Sequence, residues 1–423
     1  MSTYEKDVYL AIIAGGQGTR LFPLSHPDCP KQFCVLREDG SGSVTFIQDT
    51  AKRFMNVGVR PQNVVVITTN DRQEELAKEQ LVPLGVIEPN IIQISADYGY
   101  ASSMLKATEF CSHLNSEAIV INTPSDQYIE GDNFENAIVA AINNVRSGHP
   151  TIVGVKINDL NTFTGCGHAR YDNTTSGPIY KIDGFVEKPS KEKAISMMRA
   201  DNTACNTGIN VWRAKDVLST APMTEVEARL AVYRERCKQG DQVKIENFQI
   251  GTAELMGKFP ELHLVVCNFK WFDCGTLKSF YTIQKKTPHH KNASIGEVYR
   301  TGCLNSLFIT QPGIKLFATD IQDCAVVVNV INGKIYIVDV DMEYSQQVRE
   351  LVEKYSSNKE LLLKHFSLYG AYNNSLVETN LSPEVCCGFI GPRASKHQVV
   401  PIKLPDNQII IQVSGQSFEA KTA

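Results

Sequence analysis

The stretch LAIIAGGQGTRLFPL, residues 10–24, sets the reading of the segments around it. A short apolar run enters three glycines within four positions, then Thr-Arg, then a proline. Glycines after a buried strand let backbone N–H groups approach phosphate oxygens closely. Two common phosphate loops fail here. A Walker A loop needs Gly-Lys-Ser/Thr, which does not follow. The dinucleotide fingerprint needs glycine at its first, third and sixth positions, and counting from Gly16 the sixth is Leu21. What remains is Ala14-Gly15-Gly16-Gln17-Gly18-Thr19-Arg20, with Pro23 after it and Pro30-Lys31 further on. Arg20 and Lys31 are cations suited to phosphate charge.

Working outward, residues 8–13, 63–69, 91–95, 117–123 and 151–157 are continuous apolar or β-branched runs, as expected of strands buried on both faces. Between them VTFIQDTAKRFMNV, DRQEELAKEQLV, SSMLKATEFCSHL and NFENAIVAAINNV carry helical periodicity, with cap regions at Asn70-Asp71 and Asn133. This alternation predicts an α/β fold: a doubly wound, mostly parallel, Rossmann-like sheet that binds ligands at the carboxyl ends of its strands.

The pattern then changes. GCGHARYDNTTSGPIYKIDGFVEKPS reads as a hairpin, NTGINVW (206–212) as a strand, and WFDCGT (271–276) as a tight turn before a helix. The polar KKTPHHKNAS (285–294) marks a boundary between a catalytic domain, 1–285, and a smaller β-rich C-terminal domain, 286–423. Within the latter, AVVVNVINGKIYIVDVD predicts a hairpin turning on Asn332-Gly333, and SQQVRELVEKY a short helix. No hexapeptide run of the kind that builds a β-helix is visible.

Composition narrows the class. A chain of 423 residues, 43% hydrophobic and 21% charged, fits about two globular domains. A net charge of -4, with no basic stripe, argues against nucleic acid as a partner. Twelve cysteines are scattered without a C-x-x-C pair, which reads as reduced thiols rather than a metal centre. The N-terminus has no apolar signal core, and no run of about 18 apolar residues occurs, so no membrane partner is expected and a cytoplasmic location is.

The glycine loop followed by P-K-Q-F resembles that of the sugar-1-phosphate nucleotidyltransferases, closest to the mannose-1-phosphate guanylyltransferase branch. Four later segments resemble the family's motifs in order: TPSDQYI (123–129), GFVEKPS (184–190), NTGINVW and WFDCGT. The resemblance covers about residues 8–285, and 300–355 is similar to the extension that follows in the guanylyltransferases. It implies nucleotidyl transfer from an NTP, GTP in that branch, to a hexose 1-phosphate, mannose 1-phosphate in that branch. Both reactants are anions, so positioning and charge neutralisation supply most of the catalysis and no protein nucleophile is needed.

By the same resemblance Ala14, Gly15, Gly16, Gly18 and Thr19 hold the nucleotide, and Arg20 and Lys31 neutralise the triphosphate and leaving pyrophosphate. Asp126 and Asp273 hold Mg²⁺, Lys188 holds the sugar phosphate, Glu187 accepts sugar hydroxyls, and Asn206 with Gly167 lines the sugar pocket. Singly, each has a structural alternative: a capping Asp126, a strand-end Lys188, a turn-initiating Asp273. Three segments depart from the family pattern. ADYGYASSML (96–105) replaces the base-reading G-R-N-T-A-P, Gln127 stands where His is usual, and KIENFQIGTAELM matches only loosely. Another base or sugar, or a catalytically silent regulatory relative, is the alternative. The stretch HQVVPIKLPDNQIIIQVSGQ, with only His397, lacks the clustered histidines of a fused isomerase. The C-terminal domain is expected to pack on the catalytic domain or to mediate homo-oligomerisation.

Overall fold

The computed structural model describes residues 6–18, 21, 24–26, 28–40, 42–172, 174, 177–200, 202–310, 315–329, 334–339, 386–390, 398–404 and 408–414. The chain forms two compact units, one of residues 1–16 and 46–272, the other of residues 17–45 and 273–423. In chain order the first strands are β1 (Val8–Ile13), β2 (Val35–Asp39), β3 (Gly42–Thr45), β4 (Val64–Thr68), β5 (Ile91–Gln93), β6 (Ile119–Pro124) and β7 (Tyr128–Glu130). They continue as β8 (Thr151–Val155), β9 (Gly167–Tyr171), β10 (Ile179–Glu187), β11 (Thr203–Arg213), β12 (His263–Cys267) and β13 (Lys270–Phe272). The principal helices of the first unit are α1 (Phe46–Val57), α2 (Asp71–Leu81), α3 (Gly99–Leu114) and α4 (Asn133–Arg146). The short α5 (Leu160–Gly165), then α6 (Lys191–Ala200), α7 (Ala214–Thr220) and α8 (Met223–Lys238), follow.

The first unit is built on a nine-stranded sheet ordered β5-β4-β1-β6-β11-β8-β12-β10-β9. The run β5-β4-β1-β6 is parallel throughout. β11 is inserted antiparallel between β6 and β8, and β12 resumes the common direction beside β8. The fold is the expected α/β sheet. Every residue of β1, β4 and β8 is buried, which accounts for their unbroken apolar sequences. β10 lies near the edge of the sheet and alternates between half-buried and exposed positions over most of its length. Trp212 of β11 is fully buried, and its indole N–H donates to Thr108 Oγ1 on α3 at 2.9 Å.

Cap chemistry follows expectation at α2, where the Asn70 side chain accepts from the Gln73 amide at 2.9 Å. It does not at α4. Asn133 is already the first helical residue, the preceding Asp132 has helical dihedrals that suit no side-chain cap, and the Asn133 side-chain amide instead donates to Asn268 Oδ1.

The second unit contains the hairpin β2–β3 and a stack of short strands: β14 (Ala293–Ile295), β15 (Glu297–Thr301), β16 (Leu307–Ile309), β17 (Lys315–Thr319) and β18 (Cys324–Asn329). β19 (Lys334–Asp339), β20 (Cys386–Ile390), β21 (Gln398–Leu404) and β22 (Gln408–Ser414) complete it. β14-β16-β18 form one parallel ladder, and β15-β17-β22 another. The chain therefore alternates between two sheets and returns one rung higher, as a β-solenoid does, although the sequence has no hexapeptide repeat. Its rungs are marked instead by corners. Lys291, Asn305 and Asp323 stand at equivalent places before successive rungs, and all three have left-handed φ of 52°, 49° and 54°. Buried Asn292 ties two rungs, its amide donating to the Cys303 carbonyl at 2.7 Å and its Oδ1 accepting from the Ser306 amide at 3.0 Å.

The segment expected as a polar linker forms an ordered turn, with Thr287 and Asn292 joined through their backbones, that leads directly into β14. β18 and β19 pair antiparallel, while the predicted turn at Asn332-Gly333 and the helix at 345–355 lie outside the described residues. Among the described residues no helix is long and apolar enough to cross a membrane.

Candidate active site

In the first unit the site starts where β1 and β6 end side by side, Ile13 opposite Pro124. β1 has β4 on its other side, so the strand order reverses there, and loops leaving such a point form a ligand crevice at the carboxyl ends. Ala14 extends the pairing of β1 by donating to the Ile67 carbonyl, and then the glycines begin. The carbonyl of Gly15 accepts from Thr69 Oγ1 at 3.0 Å, and buried Gln73 donates to the carbonyls of both Gly15 and Gly16. A Cβ on Gly15 would lie 2.5 Å from Thr69 Cγ2, so glycine is required by the close approach of the β4–α2 turn.

After β6, Ser125-Asp126-Gln127 is fixed by its backbone. Thr50 Oγ1 of α1 donates to the Ser125 carbonyl, and Arg53, paired with Asp49, reaches the Gln127 carbonyl. Gln127 itself is buried, and its amide donates to the Thr207 carbonyl in β11. Gly208, with φ of 79°, passes so near Pro124 that a Cβ would come within 2.7 Å of its Cγ. The Tyr100 hydroxyl donates to the Gly208 carbonyl at 3.2 Å. Burial, and then the negative charge of Asp126, push the Tyr100 phenol far above its ordinary pKa. Tyr100, half-buried and bonded to Gly208, is marked by no family motif.

The expected sugar-binding residues gather where the start of β9 and the end of β10 meet the bulge of β11. Glu187 pairs with Gly167, and a Cβ on Gly167 would meet the Glu187 carboxylate at 2.5 Å. Lys188 follows with a left-handed φ of 40°, its amide donating to the Cys166 carbonyl at 3.1 Å. Asn206 and Gly167 each lie one residue beyond the paired Cys205 and His168. The Asn206 Oδ1 accepts from the Gly208 amide at 2.9 Å, which shapes the bulge that brings β11 against Pro124. His168 is fully buried, stacked on Phe163, and bonded through Nε2 to the Phe163 carbonyl.

The departing segment 96–105 has its own anchorage. Asp97 pairs with Arg234 of α8, and its carbonyl accepts from Gln249. Tyr98 donates to Glu227, and burial first, then that bond, push its phenol up to about 12. α3 then begins at Gly99, whose φ of 67° and nearby Gln249 leave no room for a Cβ.

The second unit holds the rest. Gly18 has φ of 59°, and a Cβ there would lie 2.8 Å from the Lys31 backbone nitrogen. Ser25 Oγ closes the loop onto the Gly18 carbonyl at 2.6 Å. Lys31 is only 3% exposed, and its ammonium donates to the carbonyl of Asp273, joining two residues expected to act on the same substrate. Past Asp273, Cys274 has φ of 50°, and a reciprocal Thr276–Ser279 capping box starts a helix over Leu277–Ile283. Thr19, Arg20 and Pro23 lie outside the described residues. Thr69, Gln73 and Tyr100 were not legible from motifs, because each acts through a contact distant in sequence.

The sequence model described as Nucleotidyl transferase matches residues 10–290. The chain belongs to the nucleotidyl transferase family. A mannose-1-phosphate guanylyltransferase of Sinorhizobium fredii is 26% identical over 312 residues, 71% of this chain and 59% of the relative. The chain thus spans about three fifths of that relative's length. Mannose-1-phosphate guanylyltransferase RfbM of Salmonella typhimurium is 24% identical over 388 residues, 86% of this chain and 76% of the relative. Among solved structures, a Thermus thermophilus protein described as a mannose-1-phosphate geranyltransferase superposes with a TM-score of 0.64 at 20% identity, covering 83% of this chain and 99% of that one. That likeness supports the nucleotidyltransferase fold.

Proposed function

We propose that this chain transfers a nucleotidyl group from GTP to mannose 1-phosphate, giving a nucleotide sugar and pyrophosphate. The observation that carries the reading is Asp126 at the end of β6, beside the Gly15-Gly16 turn at the end of β1. A glycine turn and a carboxylate at a sheet switch point suit a polyphosphate with its counter-ion. The relatives' names support the substrates.

In the proposed reaction a sugar-phosphate oxygen attacks the α-phosphorus in line, the bond to the bridging oxygen breaks, and pyrophosphate leaves with its electron pair. Arg20 and Lys31 carry positive charge toward the triphosphate and the leaving group. Lys188 holds the sugar phosphate, Glu187 accepts sugar hydroxyls, and Asn206 with the Gly167 backbone lines the pocket. Gly15, Gly16, Gly18, Ala14 and Thr19 accommodate the nucleotide.

Asp126, just past β6, and Asp273, the second carboxylate by motif order, are the hard oxygen donors proposed for a divalent metal. Mg²⁺ held there would neutralise phosphate charge during transfer. The reading takes residues 1–285 as the catalytic part and 286–423 as a packing or oligomerisation part, in a cytoplasmic enzyme without nucleic-acid or membrane partners. A second reading, another base, is favoured by the distinct anchorage of residues 96–105 on α8.

Pyrophosphate release with Mg²⁺, over the common NTPs against mannose, glucose, fucose and heptose 1-phosphates, tests the proposal. GTP with mannose 1-phosphate is the expected productive pair. Another pair transfers the assignment to that base or sugar, and nucleotide binding without release anywhere assigns a silent relative.

A further inference from the structure

At the amino ends of the adjacent strands β8 and β12, away from the carboxyl ends where the glycine loop lies, three potential metal ligands converge. His149 lies on the turn between α4 and β8, and Glu261 and His263 lie at the entry to β12. One ligand atom from each lies within 4.8 Å of the others. The Glu261 carboxylate faces one nitrogen of each ring, with Oε2 3.8 Å from His149 Nδ1 and Oε1 3.6 Å from His263 Nε2. Donor atoms around tetrahedral zinc lie about 3.3 Å apart, so the carboxylate spacings are close to those of a bound ion, and closure needs one imidazole to turn out of the stack. The imidazoles stack at 4.2 Å and 13°, and His149, on a turn and about a third exposed, has the freedom to rotate its lone pair inward.

We propose that His149, Glu261 and His263 form a zinc-type cation site, independent of the nucleotidyl-transfer chemistry. Two neutral imidazoles and a carboxylate are the donor set of many three-ligand zinc centres, whose fourth position takes water. A partner that orients the second imidazole is also present. Asn144 lies 3.0 Å from His263 Nδ1 and 2.8 Å from Thr151 Oγ1. The Thr151 hydroxyl donates to the His149 carbonyl at 2.8 Å. Turning the Asn144 amide over, with that hydroxyl redirected to donate to it, puts an oxygen where it accepts the Nδ1 proton and leaves Nε2 to bind metal. One charge opposes the cation: Lys181 on β10, paired opposite His263, places its ammonium 3.8 Å from Glu261 Oε1. It is exposed and flexible enough to swing away. A bound ion would tie the α4–β8 turn to the start of β12.

The test is Zn²⁺ alone, titrated into chelator-treated full-length protein against a chromophoric competitor, with thermal unfolding followed in parallel. One equivalent per chain is expected, with a rise in unfolding temperature that grows with free zinc. His149→Ala and Glu261→Gln should each abolish that equivalent, and Asn144→Ala should weaken it by roughly 10-fold. Lys181→Ala should tighten binding, the opposite sign from every ligand variant. Zinc bound equally well by His149→Ala and Glu261→Gln overturns the proposal, as does zinc lost only on replacing the exposed Cys237.

Discussion

The run β5-β4-β1-β6 of the large sheet and the stacked ladders of the second unit are both parallel, yet they return the chain to the next strand by different routes. In the sheet, β4, β5 and β6 are reached through α1, α2 and α3, and helices long enough for such crossovers let every residue of those three strands keep a negative φ. In the stack the return is made at corners a few residues long, with Gly296 alone standing between β14 and β15. The turning is then concentrated in left-handed residues, among them Lys291, Asn305, Asp320 and Asp323. One unit covers its strands with helices. The other folds its strands over one another and keeps the turning at the corners.

The largest expected effect separates chemistry from scaffold. Asp126→Asn should lower turnover by about 10²–10³-fold while leaving the denaturation midpoint where it was. Near-normal turnover with Mg²⁺ would remove Asp126 from the metal role. Next comes the helix-covered core, where Trp212→Ala removes a fully buried indole and its bond to Thr108. A loss of about 3–5 kcal/mol is expected in urea unfolding.

A corner should cost less. Gly296 has φ of 86°, and an added Cβ would lie 2.7 Å from the Thr310 carbonyl oxygen. Gly296→Ala should destabilise by about 1–3 kcal/mol, and no change would mean that the corners carry less constraint than their dihedrals suggest.

The weakest signal is carried by one imidazole. Burial lowers the His168 pKa below its ordinary 6.5, so the folded state favours the neutral ring. The associated stability is complete above pH 6.5 and is lost as pH falls through that value toward the lower folded-state pKa. Unfolding midpoints between pH 7.5 and 5 should therefore decline, and His168→Gln should flatten the decline. An unchanged slope would assign it elsewhere, for example to His263, whose pKa is lowered by burial and by His149.

The same contrast explains what could be read in advance. β1, β4 and β8 announce themselves as unbroken apolar runs because both faces are covered. β15 has no such cover, and its positions alternate exposed and half-buried without a repeat to flag them. Lys, Asn and Asp occupy equivalent corners at unequal spacings, so the shared conformation leaves little trace in residue type. The glycines and Asp126 of the proposed site stood out in the sequence because the chemistry proposed for them restricts residue choice. Gln73 and Tyr100 were not, since a side-chain donor to a distant carbonyl has no local signature.

The position of β11 matters beyond the finished sheet. It lies between β6 and β8, yet about ninety residues of chain separate the end of β6 from its own last residue. At about 5–20 residues per second of synthesis, one side of β6 stays without its neighbour for several seconds after that strand has left the ribosome. An unpaired apolar edge is where chains aggregate. The middle of this sheet is therefore closed late, and the strand that ends in Asp126's loop waits with one side open, as β1 does for β6 and β8 does for β12.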